Sequence, residues 1–251
     1  MGWGASKLNT SSSLFRTFPS MTYSLDSDIS SSDVSSCSLR NIYSPKAFLD
    51  PVDESMRFLV RLMNGHRFMP KDSRTLTLTA YDLIKSLGAD VGNLRVSATA
   101  VELDILVPSK EVMDRSLTRL IKIFGESLTI RELDVPTQVP NPRRAVRDGI
   151  ALFNEERYWE SHESLEAAWR SATGVEREVL QGIILLAASL VHLQKDEHDI
   201  ALSILKRADP KLPQQGTMFG IDLSELKQRV KMILVDNRPA FFKLPVNGSD
   251  S

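Results

Sequence analysis

The chain has 251 residues with 42% hydrophobic and 25% charged content, which leaves room for one large domain or two small ones. A formal net charge of −1 removes a global basic excess as a basis for nucleic-acid or anionic-membrane binding. The single cysteine, Cys37, excludes an intramolecular disulfide and a cysteine-built metal site, and it fits a reducing compartment.

Residues 1–55 are Ser-rich and show no sustained hydrophobic period, so they read as a disordered leader that cannot bury enough apolar surface to offset ordering entropy. The reducing compartment that fits the lone cysteine makes the expected localisation cytoplasmic. Two rivals remain for the leader. The opening Met-Gly matches a loose myristoylation pattern, and Lys7 and Arg16 with no acid before Asp26 match an organelle transit peptide. Met56 opens the first clean strand, so the leader also reads as an extension upstream of the folded protein.

From 56 to 135 the periods alternate as β-α-β-β-α-β. Phe58, Val60 and Leu62 are spaced as one face of a strand. A helix capped by Asp72 or Ser73 follows through Leu76, Ala80, Leu83 and Leu87 to Gly88, although Thr75–Thr79 alternates like a strand. Leu94, Val96 and Ala98, then Val101, Leu103, Ile105 and Val107, predict a strand pair whose Glu102 and Asp104 lie on a wet face. Ser109 caps a second helix through Met113, Leu117, Leu120, Ile121 and Phe124, and Leu128–Arg131 closes a ferredoxin-like unit. Arg57, Arg61, Arg95 and Arg131 share the polar strand face. It lacks an aromatic stacking pair and carries opposing acids, so RNA contact is disfavoured against docking of the acidic half of the chain.

Pro136, Pro140 and Pro142 mark a linker over 136–142, and 143–236 is helical throughout, with 237–251 as a tail. Asn141-Pro142 is a start signal, and about five helices follow, two of them opened by the boxes Thr173–Glu176 and Asp222–Glu225. The fold class is thus α+β, a ferredoxin-like α/β domain followed by an all-α bundle. The longest apolar run, Ile183 to Val191, is about half of what a spanning helix needs, so no membrane partner is expected.

The segment Tyr158-Trp159-Glu160-Ser161-His162-Glu163-Ser164-Leu165-Glu166-Ala167-Ala168-Trp169-Arg170, with Glu176–Ile183, His192 and Gly220–Leu223 following, resembles the family called domain of unknown function 309. The resemblance covers roughly 143–234. It implies a glycine before the aromatic pair, where this chain has Glu155-Glu156-Arg157.

Helical geometry alone puts His162, Glu166 and Trp169 on one face with Glu163 and Arg170 on its flank, and aligns Gln181 with His192. Three readings stand open. The polar side chains satisfy one another and set helix register. Or His162, Glu163, Glu166, Gln181 and His192 line a pocket walled by Trp159 and Trp169, for a small polar molecule or a protein segment. Or His162, Glu166 and His192 hold a divalent metal with Glu163 as the base of a hydrolase, in a His-Glu-x-x-Glu order that differs from the zinc-protease motif.

Overall fold

The computed structural model describes residues 55–135 and 141–247, which fall within one compact unit. The expectations placed on the leader and on most of the linker lie outside the described residues.

Strands β1 (Met56–Met63), β2 (Asp90–Val96), β3 (Ala100–Val107) and β4 (Ser127–Glu132) form an antiparallel sheet in the order β2-β3-β1-β4. Helices α1 (Ser73–Ile84) and α2 (Lys110–Phe124) follow β1 and β3. The Thr-rich stretch is helical, as expected, because Leu76, Ala80 and Ile84 bury one helical face, while Thr77 and Thr79 satisfy their hydroxyls on the carbonyls of Ser73 and Thr75. Asp72 caps nothing in α1. Its carboxylate accepts from the Met69 amide at 2.8 Å, and the helix runs into a 3-10 turn that ends at Gly88 with φ 80°. Ser109 caps α2 by accepting from Val112 N.

Phe58, Val60, Leu62, Leu103 and Ile105 on one face of the sheet bury against Leu76, Ala80, Ile84, Leu120 and Phe124 of the two helices. The opposite face, expected either wet or docked on the acidic half of the chain, is covered by that half. Arg95 is 0% exposed and Glu102 and Asp104 are each 1% exposed, because the helical region packs over them. A period of two separates the faces of a strand but cannot tell what covers the polar one.

The helical region comprises α3 (Pro142–Asn154), α4 (Tyr158–Trp169), α5 (Gly174–Gln194), α6 (His198–Ala208) and α7 (Leu223–Asp236), with a two-stranded hairpin of β5 (Thr217–Met218) and β6 (Ile221–Asp222) before α7. Asn141 caps α3 and Asp222 caps α7 through side-chain oxygens. The box expected at Thr173 does not form, since that side chain makes no cap bond. Glu225, expected to complete the other box, pairs instead with Arg229 at 2.7 Å.

Gly149 lets α3 and α4 approach closely. A Cβ there would sit 2.6 Å from Leu165 Cγ, and Ser161 donates to the Gly149 carbonyl at 2.7 Å. Residues after α7, read from sequence as tail, contribute Phe242 and Leu244 to the helical core. Among the described residues no helix is long and apolar enough to cross a membrane.

Candidate functional site

The signature on α4 does not converge on a single pocket. The candidate side chains fall in three neighbourhoods, two along α4 and one at the end of α5.

The first faces the sheet. Trp159 is buried, and the guanidinium carbons of Arg95 and Arg131 lie 5.6 Å and 5.3 Å from its ring centroid. Arg131 donates to Glu163 at 2.9 Å and lies 3.9 Å from Glu160. Arg157 grips Glu160 in a two-pronged pair at 2.8 and 2.9 Å. Beneath Trp159, Arg95 reaches Asp104 at 2.7 Å and Glu102 at 3.3 Å, Arg61 lies 3.0 Å from Glu102, and Arg57 reaches Asp104 at 3.1 Å.

Electrostatics within this layer are uneven. Burial drives the Glu102 carboxyl above its ordinary pKa despite Arg95 and Arg61. Burial also pushes Asp104 upward, but Arg95 and Arg57 together outweigh it and hold that carboxyl below the usual range. Glu163, though 44% exposed at its side chain, is raised by desolvation more than Arg131 lowers it.

The second neighbourhood lies around His162. This side chain is 6% exposed, and its imidazole makes no hydrogen bond to any described residue. Burial lowers its pKa to about 4, against a smaller upward pull from Glu166 one turn on. Glu166 itself pairs with Arg170 at 3.1 Å. Trp169 is covered by Arg177, whose guanidinium carbon is 3.8 Å from the ring centroid. That arginine also donates to the Trp169 and Ala172 carbonyls, closing the end of α4.

The third lies at the far end of α5. His192 Nδ1 sits 2.5 Å from the Glu197 carboxylate, which also pairs with Lys195 at 3.1 Å. Burial pushes Glu197 upward, but these two partners hold it below its ordinary value. Gln181, about three turns back along α5, is half-buried.

Metal ligation was expected to require His162, Glu166 and His192 in one shell. Among the described residues no group of three His, Cys, Asp or Glu side chains has the geometry to hold an ion. His162 and Glu166 are neighbours, but His192 is committed to Glu197, five residues on in its own chain segment. Spacing along α5 aligned Gln181 with His192 correctly as a face, yet could not decide which partner that face meets.

Sequence reasoning missed Glu156. It occupies the position where the resemblance implies glycine and adopts φ 62°, the left-handed region that favours glycine. Its carboxylate accepts from the Ala98 amide in the β2–β3 turn at 2.8 Å, and its carbonyl accepts from Gln194 Nε2 at 2.8 Å. The departure from glycine was the available signal, since a side chain kept at a strained position needs a use.

These features define a mixed α/β region whose polar sheet face is seated on a helical bundle through α4. Residues 146–204, from α3 into α6, match the family described as Domain of unknown function (DUF309). A comparison with curated proteins returned no match.

Proposed function

We propose that this chain is a partner-binding protein in which the helical region is the receptor and the α4 cluster is its docking face. What carries the reading is the use made of Trp159, Glu160 and Glu163. All three lie within the matched segment, and each engages an arginine of the sheet, which lies outside it. A face built of one indole and two carboxylates, presented on a rigid helix, suits recognition of a folded protein surface better than catalysis.

The order β2-β3-β1-β4 with helices after the first and third strands supports a ferredoxin-like assignment for the α/β region. Two cores, one between the sheet and α1 and α2 and one among the helices, support a division near 135–143, with the helical region extending past 236 through Phe242 and Leu244 and reaching Leu59 of β1.

The competing reading is a metal-dependent hydrolase on His162, Glu166 and His192 with Glu163 as base. His162 keeps it in view, because a buried imidazole with no hydrogen bond to the described residues has an open nitrogen. Elemental analysis of the full chain, purified without a histidine tag and compared with His162→Ala, separates the two. The docking reading expects no stoichiometric transition metal in either protein. A metal at one per chain that His162→Ala abolishes would overturn it.

A further inference from the structure

Every cation that the four strands of the sheet carry is an arginine: Arg57, Arg61, Arg95 and Arg131, with no lysine among them. Arginine and lysine are equal in charge, so an all-arginine set points to planar recognition. The α4 face has the matching chemistry, an aromatic plane at Trp159 with carboxylates at Glu160 and Glu163 beside it. The two guanidinium groups over that plane differ in accessibility. Arg95 is sealed at 0% exposure, whereas Arg131 is 43% exposed on edge strand β4 and its partner Glu163 is 44% exposed.

Resting on the docking reading above, we propose that Trp159, Glu160 and Glu163 form an arginine receptor with an inner and an outer seat. The inner seat is held by Arg95. The outer seat, filled in this chain by its own Arg131, accepts an arginine from a protein partner that displaces Arg131 at the sheet edge. Two observations carry the outer seat, a stacking surface and an ion pair of 2.9 Å; Glu160, whose oxygens are held by Arg157, adds only negative charge 3.9 Å away. An exposed ion pair binds weakly and is screened by salt, so Arg131 can be exchanged without unfolding anything else. The inner pair and the Glu156 contact with Ala98 keep the sheet in place while this happens.

The test uses the full chain and two probes, a hexa-arginine and a hexa-lysine peptide, with affinity read by calorimetry at low salt. Arg131→Ala vacates the outer seat and is expected to bind hexa-arginine about tenfold more tightly than the wild type, the order of one cation–π contact plus one partly desolvated ion pair. Hexa-lysine should show no comparable gain, and the double variant R131A/E163Q should lose it. Both positions are partly exposed, so both variants should fold, which circular dichroism checks. Equal affinity in wild type and Arg131→Ala, an equal gain for hexa-lysine, or a gain that survives Glu163→Gln would each overturn the proposal. Such a failure in metal-free protein sinks the arginine seat alone, whereas a His162-dependent metal sinks the docking reading whatever the peptides do.

Discussion

The two faces of the sheet solve the same problem by opposite means. Toward α1 and α2 the strands present Phe58, Val60, Leu62, Leu103 and Ile105, and contact is non-directional burial. Toward α4 they present Arg61, Arg95, Glu102 and Asp104, all buried and charged. Burying charge is a poor source of stability, because desolvation offsets most of the Coulombic gain. What an ionic layer supplies is orientation, since guanidinium and carboxylate groups meet well in few geometries. The apolar face therefore reads as the part that makes the α/β region fold, and the ionic face as the part that decides where the helical region sits.

The sharpest way to break this contrast is to remove one large side chain from each face. Arg95→Ala takes away the guanidinium that Glu102 and Asp104 share, and should cost about 4 kcal/mol at neutral pH. Leu103→Ala should cost about 3 kcal/mol. The diagnostic difference is pH dependence. Without Arg95 the two carboxyls have raised pKa values in the folded protein, so their penalty shrinks as pH falls and they take up protons. The Leu103→Ala penalty should be the same at pH 5 and pH 7. Equal pH responses in urea unfolding would mean the ionic layer carries no net charge burden.

Acid stability probes the second neighbourhood of α4. The pKa of His162 is about 4 in the folded protein against 6.5 in the unfolded chain, so the unfolded state binds the extra proton in that window. Stability from this group is complete above pH 6.5 and falls as pH drops towards 4, by on the order of 3 kcal/mol. His162→Gln should flatten that part of the profile relative to the wild type. A variant with an unchanged acid limb would show that the imidazole is solvated.

The smallest expected effect sharpens the account of how α4 is positioned. Gly149→Ala forces a methyl onto Leu165 and should destabilise by about 2 kcal/mol. Hydrogen exchange should rise first in α3 and α4, with the apolar face of the sheet protected as before. Exchange that rises equally in α1 and α2 would show that the two regions do not respond separately.

Much of the site was legible as a set of residues and little of it as a set of contacts. The long signature identified α4, and helical spacing grouped His162 with Glu166 and aligned Gln181 with His192. Spacing along one helix says nothing of the side chain that arrives from elsewhere. Hence Arg131 from β4 meets Glu163, Arg177 from α5 covers Trp169, and Glu197 pairs with His192.

The sequence by itself determined the order of the four sheet strands and of the main helices, the two faces of β1 and β3, and the caps at Ser109, Asn141 and Asp222, because these depend on periods and bonds within a few residues; it missed the β5–β6 hairpin and the end of β2 at Val96. Only the tertiary structure decided that the polar strand face would be dry, that the tail would enter the core through Phe242 and Leu244, and that the Glu156 carboxylate, in the turn that ends α3, would take the Ala98 amide of the sheet. Each of these depends on what packs against a surface, and burial between distant segments leaves no periodic trace in either one.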